Sequence, residues 1–184
     1  MYFSLRIRTF GHDNIIRFCD RPFADAEEMN EALIENWNKK VSKQDIVYFL
    51  GDFALGLTFT QVDFIISRLN FNTLYFLPGN HEKSFRNWFQ KAKPNNVKML
   101  PGLQEKIIDG QTIVMTHYPM ASWNKMRYGS WNLCGHTHGN YEPSIPSCLT
   151  GGKILDVGVD CHDYAPVSLD EIHDIMKNKT SIII

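Results

Sequence analysis

His136 and His138 stand one residue apart in Cys134-Gly135-His136-Thr137-His138-Gly139. On an extended backbone, residues i and i+2 face the same side, so both imidazoles can reach one small volume. The flanking glycines allow a close backbone approach and a turn. An isolated His-x-His is equally a pair of exposed loop histidines. Three other stretches give this one its weight. Asp52 follows Leu50-Gly51, Asn80 and His81 follow Leu77-Pro78-Gly79, and His117 follows Val114-Met115-Thr116. These residues come just after apolar runs of the kind that form strands buried on both faces. In open α/β sheets, ligands gather beyond the carboxyl ends of the strands. One carboxylate, one amide oxygen and several imidazoles, without a thiolate, make a mixed nitrogen and oxygen donor set. Such a set suits Mn, Fe, Zn, Ni or Co better than Ca or a structural zinc. Taken singly, Asp52 also reads as a helix cap, Asn80 as a turn residue and His117 as a hydrogen-bonded core group. Their shared placement behind strands favours a metal centre.

Those positions need strands and helices in alternation. A first strand is expected over Tyr2 to about Arg8, followed by a loop over Thr9 to Asn14. Asp25 and Glu28 resemble a capping box, and Met29, Leu33, Trp37 and Val41 follow at helical spacing. Ile46–Leu50 and Thr73–Leu77 read as buried strands. Helices are expected over Thr60 to Leu69 and Glu82 to Ala92, the second stopped by Pro94. Leu103–Ile108 and Thr112–Met115 flank Asp109-Gly110, a hairpin signal. A loop rich in aromatic and basic residues fills 118–131, Ile154–Val159 reads as a strand, and Ser168 with Glu171 opens a last helix to about Asn178. Alternating elements in the first half predict an α/β sheet.

At 184 residues the chain is expected to form a single domain over 1–184 with a substantial core. A net charge of −1 gives no support for a nucleic-acid or anionic-membrane surface. Cys19, Cys134, Cys148 and Cys161 are scattered without a CxxC, which reads as reduced thiols in a cytoplasmic protein. No apolar run approaches the roughly 20 residues of a membrane span. The sequence leaves the oligomeric state open.

Gly51-Asp52, Gly79-Asn80-His81-Glu82, Thr116-His117 and Gly135-His136-Thr137-His138 resemble the motifs of the calcineurin-like metallophosphoesterases, in order and nearly end to end. Asp156-Val157-Gly158-Val159-Asp160 with Tyr164-Ala165-Pro166-Val167-Ser168 is similar to the tail of a small bacterial and phage branch. The resemblance implies an α/β fold, a four-layer α/β/β/α sandwich, around two divalent transition metals. Asp52 would bridge both ions, Asn80, His117 and His136 would complete the second site, and His138 would belong to the first. His81 would stay off the metals as proton donor to the leaving group. Two cations about 3.5–4 Å apart offset the charge of a phosphate ester and supply hydroxide at neutral pH. Imidazole titrates near neutrality and can protonate the departing oxygen. Glu82 would orient that ring or be plain surface. The implied activity is hydrolysis of phosphomonoesters or phosphodiesters. Trp123, Lys125, Arg127, Tyr128 and Trp131 would overhang the site and favour a nucleotide-like substrate, or form an ordinary surface loop. His12 would lie near the phosphate, and His162 and His173 on the surface.

The family's first motif, Asp-x-His, is missing. Ile7 and Thr9 occupy its ligand positions, just before Phe10-Gly11-His12, and neither replaces a carboxylate or an imidazole. A one-base shift of reading frame over codons 3–10 accounts for this. Were Ser4 to Thr9 encoded by TCA CTT CGG ATA CGC ACT, reading from the third base would spell Thr-Ser-Asp-Thr-His. The other account is real divergence toward one metal, or toward a non-catalytic protein-interaction scaffold. The chain as written is expected to hold one ion tightly and the other weakly or not at all.

Overall fold

The computed structural model describes the backbone of residues 2–4 and the whole of residues 10–138 and 152–179. Ile7, Thr9 and Gly139 lie outside the described residues. Strands β1 (Tyr2–Ser4), β2 (Ile46–Phe49), β3 (Thr73–Phe76) and β4 (Val97–Met99) run parallel to their neighbours, and β9 (Val167–Ser168) closes this sheet antiparallel to β1 in the order β4-β3-β2-β1-β9. A second sheet has the order β5-β6-β7-β8, from β5 (Leu103–Ile108), β6 (Gln111–Thr116), β7 (Trp131–Cys134) and β8 (Lys153–Asp156). Only β5 and β6 are antiparallel in it. The chain is an α/β sandwich.

Strand β2 shows why its apolar run is unbroken. Val47 and Phe49 face a core with Met29, Leu33 and Trp37 of α2 (Ala26–Lys40), Val62 and Ile65 of α3 (Phe59–Arg68), and Phe85 and Trp88 of α4 (Lys83–Ala92). Tyr48 and Leu50 face the other way, into a layer between the sheets with Ile113, Met115, Leu133 and Leu155. Alternate residues thus enter two separate cores. The last helix, α5 (Leu169–Lys177), adds Leu169, Ile172 and Met176 to the layer between the sheets. Over the outer face of the second sheet lies the loop 118–130, with a 3-10 turn at Met126–Tyr128. Asn132 anchors it. Its side chain accepts from the Met120 N–H at 3.1 Å and donates to Val114 O and Thr116 Oγ1.

Local rules explain the boundaries. Asp25 caps α2 through the N–H groups of Glu27 and Glu28, but Glu28 reaches back to Ala24 rather than to Asp25. Ser168 and Glu171 form the complete reciprocal box of α5. Asp109 and Gly110 both have positive φ, 50° and 81°, as a two-residue type I′ hairpin requires. Three elements carry too little sequence signal to be expected. Helix α1 (Asp13–Phe18) is six residues long and capped by the His12 side chain, an unusual cap. Strands β4 and β9 have three and two residues. The expected strand 154–159 stops at Asp156, whose carboxylate accepts from Gly158 N–H at 2.8 Å and turns the chain into a 3-10 turn, Val159–Cys161.

Candidate metal centre

The carboxyl ends of four parallel strands from both sheets deliver the candidate ligands. Asp52 follows β2, Asn80 follows β3, His117 follows β6 and His136 follows β7. Two glycines let these ends touch. A Cβ on Gly51 (φ 102°) would stand 2.5 Å from His117 Nδ1, and one on Gly79 would stand 2.3 Å from Asp52 Oδ1. No side chain fits at either position.

The ring of His117 is fixed by Nδ1, 2.8 Å from Leu50 O. A carbonyl only accepts, so Nδ1 is the donor there, and Nε2 is the ring atom turned toward the other candidate ligands. That Nε2 lies 3.0 Å from Asn80 Oδ1 and 3.5 Å from Asp52 Oδ2. The His136 ring is 5.2 Å from that of His117, and its Nδ1 is buried without a hydrogen-bond partner. Burial, then the neighbouring His117, lowers the His136 pKa against the opposing pull of Asp52. An orphaned, buried ring nitrogen beside these oxygen and nitrogen donors fits a transition-metal ion. The described residues thus bring Asp52, Asn80, His117 and His136 together.

The His-x-His segment differs from the extended expectation. His136 and His138 both have left-handed backbones, with φ 71° and 53°, and Thr137 N–H bonds back to Gly135 O at 2.9 Å. Consequently the two rings have different neighbours. His138 Nδ1 lies 2.6 Å from Asp160 Oδ2 and 2.9 Å from Cys19 Sγ. Neither of these partners was expected. Gly158-Val159-Asp160 was visible as a motif, but nothing in its spacing gave Asp160 a role.

His81 is half-buried and donates its backbone N–H to Asp52 Oδ1 at 2.6 Å. With Asn80, Leu55, Lys83, Ser84 and Asn87 it lines a groove of about 600 Å³. Glu82 is neither a surface residue nor a partner for that ring. It is 4% exposed, and its Oε1 accepts from the backbone N–H groups of Asp52 and Gly79. The carboxylate therefore ties the β2 turn to the β3 turn. Asp52, in a left-handed conformation at φ 58°, is held there by this contact.

Burial, opposed by those two N–H groups and aided by the nearby Asp52 charge, pushes the Glu82 pKa up to about 7. The folded value exceeds the unfolded one, so this contribution to stability is present below about pH 4.5 and lost as pH rises through about 7. Metal-free protein is expected to lose on the order of 3 kcal/mol from this group across that window. Denaturant titrations at pH 5 and pH 8 check it, and Glu82→Gln should flatten the difference.

His12 is buried, and its Nδ1 accepts from Ile15 N–H at 2.8 Å, which assigns that atom to capping. In the 118–131 segment, Trp131 is a buried residue of β7 packed on His173, and Trp123 bonds Ser130. The residue that reaches the site is Tyr118, half exposed, with its ring 4.3 Å from His136 and 4.9 Å from His117. His162 is half-buried and bonds Asp156 O through Nε2, so it is not the surface residue expected, and neither is half-buried His173.

The calcineurin-like phosphoesterase family profile matches residues 12–140, and the chain belongs to that family. The match begins just after the positions of Ile7 and Thr9. An uncharacterized protein of Methanocaldococcus jannaschii, MJ1445, is 35% identical over 163 residues, covering 89% of this chain and 84% of that protein. The Gene 66 protein of Mycobacterium phage D29 is 25% identical over 192 residues, with 91% and 92% covered. A crystal structure of an Aquifex aeolicus protein of unknown function, AQ665, has the same fold at a TM-score of 0.71 and 21% identity, with 95% and 98% covered. Among the described residues, no helix is long and apolar enough to cross a membrane.

Proposed function

We propose that this chain is a metal-dependent hydrolase of phosphate esters, with Asp52, Asn80, His117 and His136 holding one ion. Asp52 and His138 would contribute to a second ion. The observation that carries this reading is the convergence at His117 Nε2, 3.0 Å from Asn80 Oδ1, beside the orphaned Nδ1 of His136. Bound there, divalent ions such as Mn, Fe, Zn, Ni or Co would offset the charge of the phosphate and lower the pKa of a water.

The chain's own residues do the rest. Leu50 O and the Glu82 carboxylate fix the orientation of His117 and Asp52 before any substrate arrives. His81 lines the groove beside Asn80, and its imidazole would hand a proton to the departing oxygen. Tyr118 offers a partly exposed ring on which a base could stack, which supports a nucleotide-like substrate. Scattered thiols fit a cytoplasmic setting.

The test strips the protein, reloads it with single metals and measures hydrolysis of bis(p-nitrophenyl) phosphate and p-nitrophenyl phosphate. Hydrolysis should require metal. His117→Ala should lower metal affinity by more than the roughly 10–100-fold that follows loss of an outer partner, and hydrolysis should fall with it. Tight metal binding without hydrolysis of either ester would favour the scaffold reading instead.

A further inference from the structure

We propose that Asp160, locked by Arg21, is a positioning residue that sets the tautomer of His138, so that Nδ1 carries the proton and Nε2 is the lone-pair atom offered to the metal centre. This rests on the reading of His138 as a first-site ligand. The contact itself is a short pair, His138 Nδ1 to Asp160 Oδ2 at 2.6 Å. The other oxygen of Asp160 accepts from Arg21 Nε at 3.0 Å. The Arg21 side chain is fully buried, and its Nη1 sits 2.7 Å from Met29 Sδ in α2. The guanidinium donates to one carboxylate oxygen and leaves the other turned to the ring as an acceptor. A carboxylate oxygen at 2.6 Å, closer than the Cys19 sulfur at 2.9 Å, favours the proton on Nδ1. Carboxylate, imidazole and metal in series are a recurring way to orient a ligand and raise its basicity.

Cys19 Sγ also lies 2.9 Å from Nδ1, so Cys19, His138 and Asp160 form a compact thiol, imidazole and carboxylate group within 4.8 Å. Distances decide between a relay and a three-ligand ion site. Ligands bound at about 2.0–2.3 Å in a tetrahedron stand roughly 3.3–3.7 Å apart. A separation of 2.6 Å is that of a charge-assisted hydrogen bond. The cation on Asp160 also disfavours a second cation at the same carboxylate.

The arrangement joins three parts of the chain. Cys19 caps α1, Arg21 follows it, and Asp160 sits on the 3-10 turn that begins where β8 ends early. This gives the premature end of β8 a purpose. A strand continuing to Val159 would carry Asp160 along its own direction instead of turning it back toward His138.

The test is ring nitrogen NMR of uniformly 15N-labelled, metal-free protein, with the His138 signals assigned by their loss in His138→Gln. The expected spectrum shows Nδ1 protonated and Nε2 unprotonated. Asp160→Asn keeps the shape, but Arg21 will hold the amide oxygen and turn the amide NH2 toward Nδ1. The proton should therefore move to Nε2. Affinity for the weaker ion, measured by titration with Mn²⁺, should fall about 10–100-fold while that for the tighter ion stays unchanged. Arg21→Lys, which keeps the charge, should preserve the tautomer. An unchanged tautomer in Asp160→Asn overturns the proposal whether or not the protein hydrolyses esters. A thiolate-to-cobalt absorption band in Co²⁺-loaded protein, lost in Cys19→Ser, also overturns it and makes the cluster an ion site. If both metal affinities collapse in the wild type while the tautomer is as expected, the phosphoesterase reading fails and the positioning of His138 stands.

Discussion

Replacing His81 by alanine is expected to cut phosphodiester turnover by roughly 10²–10⁴ and to leave metal content unchanged. The two effects separate because His81 meets the centre in two ways. Its backbone N–H bonds Asp52 Oδ1 at 2.6 Å and survives the substitution, so the Asp52 carboxylate keeps its setting. Its side chain lines the groove with Asn80 and Lys83 and is the part that is lost. A proton donor matters most when the departing oxygen is basic. The deficit should therefore be large for an alkyl or nucleoside leaving group and small for p-nitrophenolate, which leaves without help. Inductively coupled plasma measurement of bound metal alongside kcat for both substrates checks this. Loss of metal with the same substitution would make His81 a ligand, and an equal deficit for both leaving groups would make its role structural.

Much of this centre was legible because the sheets write it into the sequence. Apolar runs such as Ile46–Leu50 and Thr73–Leu77 mark strands buried on both faces, and the polar residue after each run has to lie at a strand end. Asp52, Asn80 and His117 were readable for that reason. Helices α2, α3 and α5 were readable from periodicity and capping residues. What escaped depends on contacts between distant segments. The role of Glu82 comes from two backbone N–H groups, one of them 30 residues away, which no local pattern encodes. Asp160 meets His138 only because β8 stops at Asp156. The left-handed backbones of His136 and His138 run against the extended geometry that a His-x-His suggests, and such strain is found where a site over-determines its residues. Tyr118 looked like one aromatic among many, and only its packing on two imidazoles separates it from Tyr128, which points into solvent.

Restoring the missing first motif should change the protein more than any other substitution. The double variant Ile7→Asp with Thr9→His is expected to raise bound metal from about one ion per chain toward two, and hydrolysis with it. The topology supports placing both ligands there. Strand β1 runs parallel to β2, with Ser4 opposite Phe49, so the described strand points the same way as the one that Asp52 follows. Nearby donors are already committed and are poor replacements. His12 Nδ1 caps α1, and Asp13 Oδ1 accepts from Ala26 N–H at 3.0 Å. The carboxylate of Asp160 is held by Arg21. In the chain as written, the first ion would therefore rely on Asp52 and His138 alone, and a two-ion clamp on the phosphate would be lost. Ile7→Asp alone should recover less, because the imidazole is still missing. Isothermal titration with Mn²⁺ gives the stoichiometry, and kcat on a phosphodiester gives the gain. Two tightly bound ions and full activity in the unaltered chain would sink the idea. A second ion gained without hydrolysis would point to a scaffold that can regain its metal but not its chemistry.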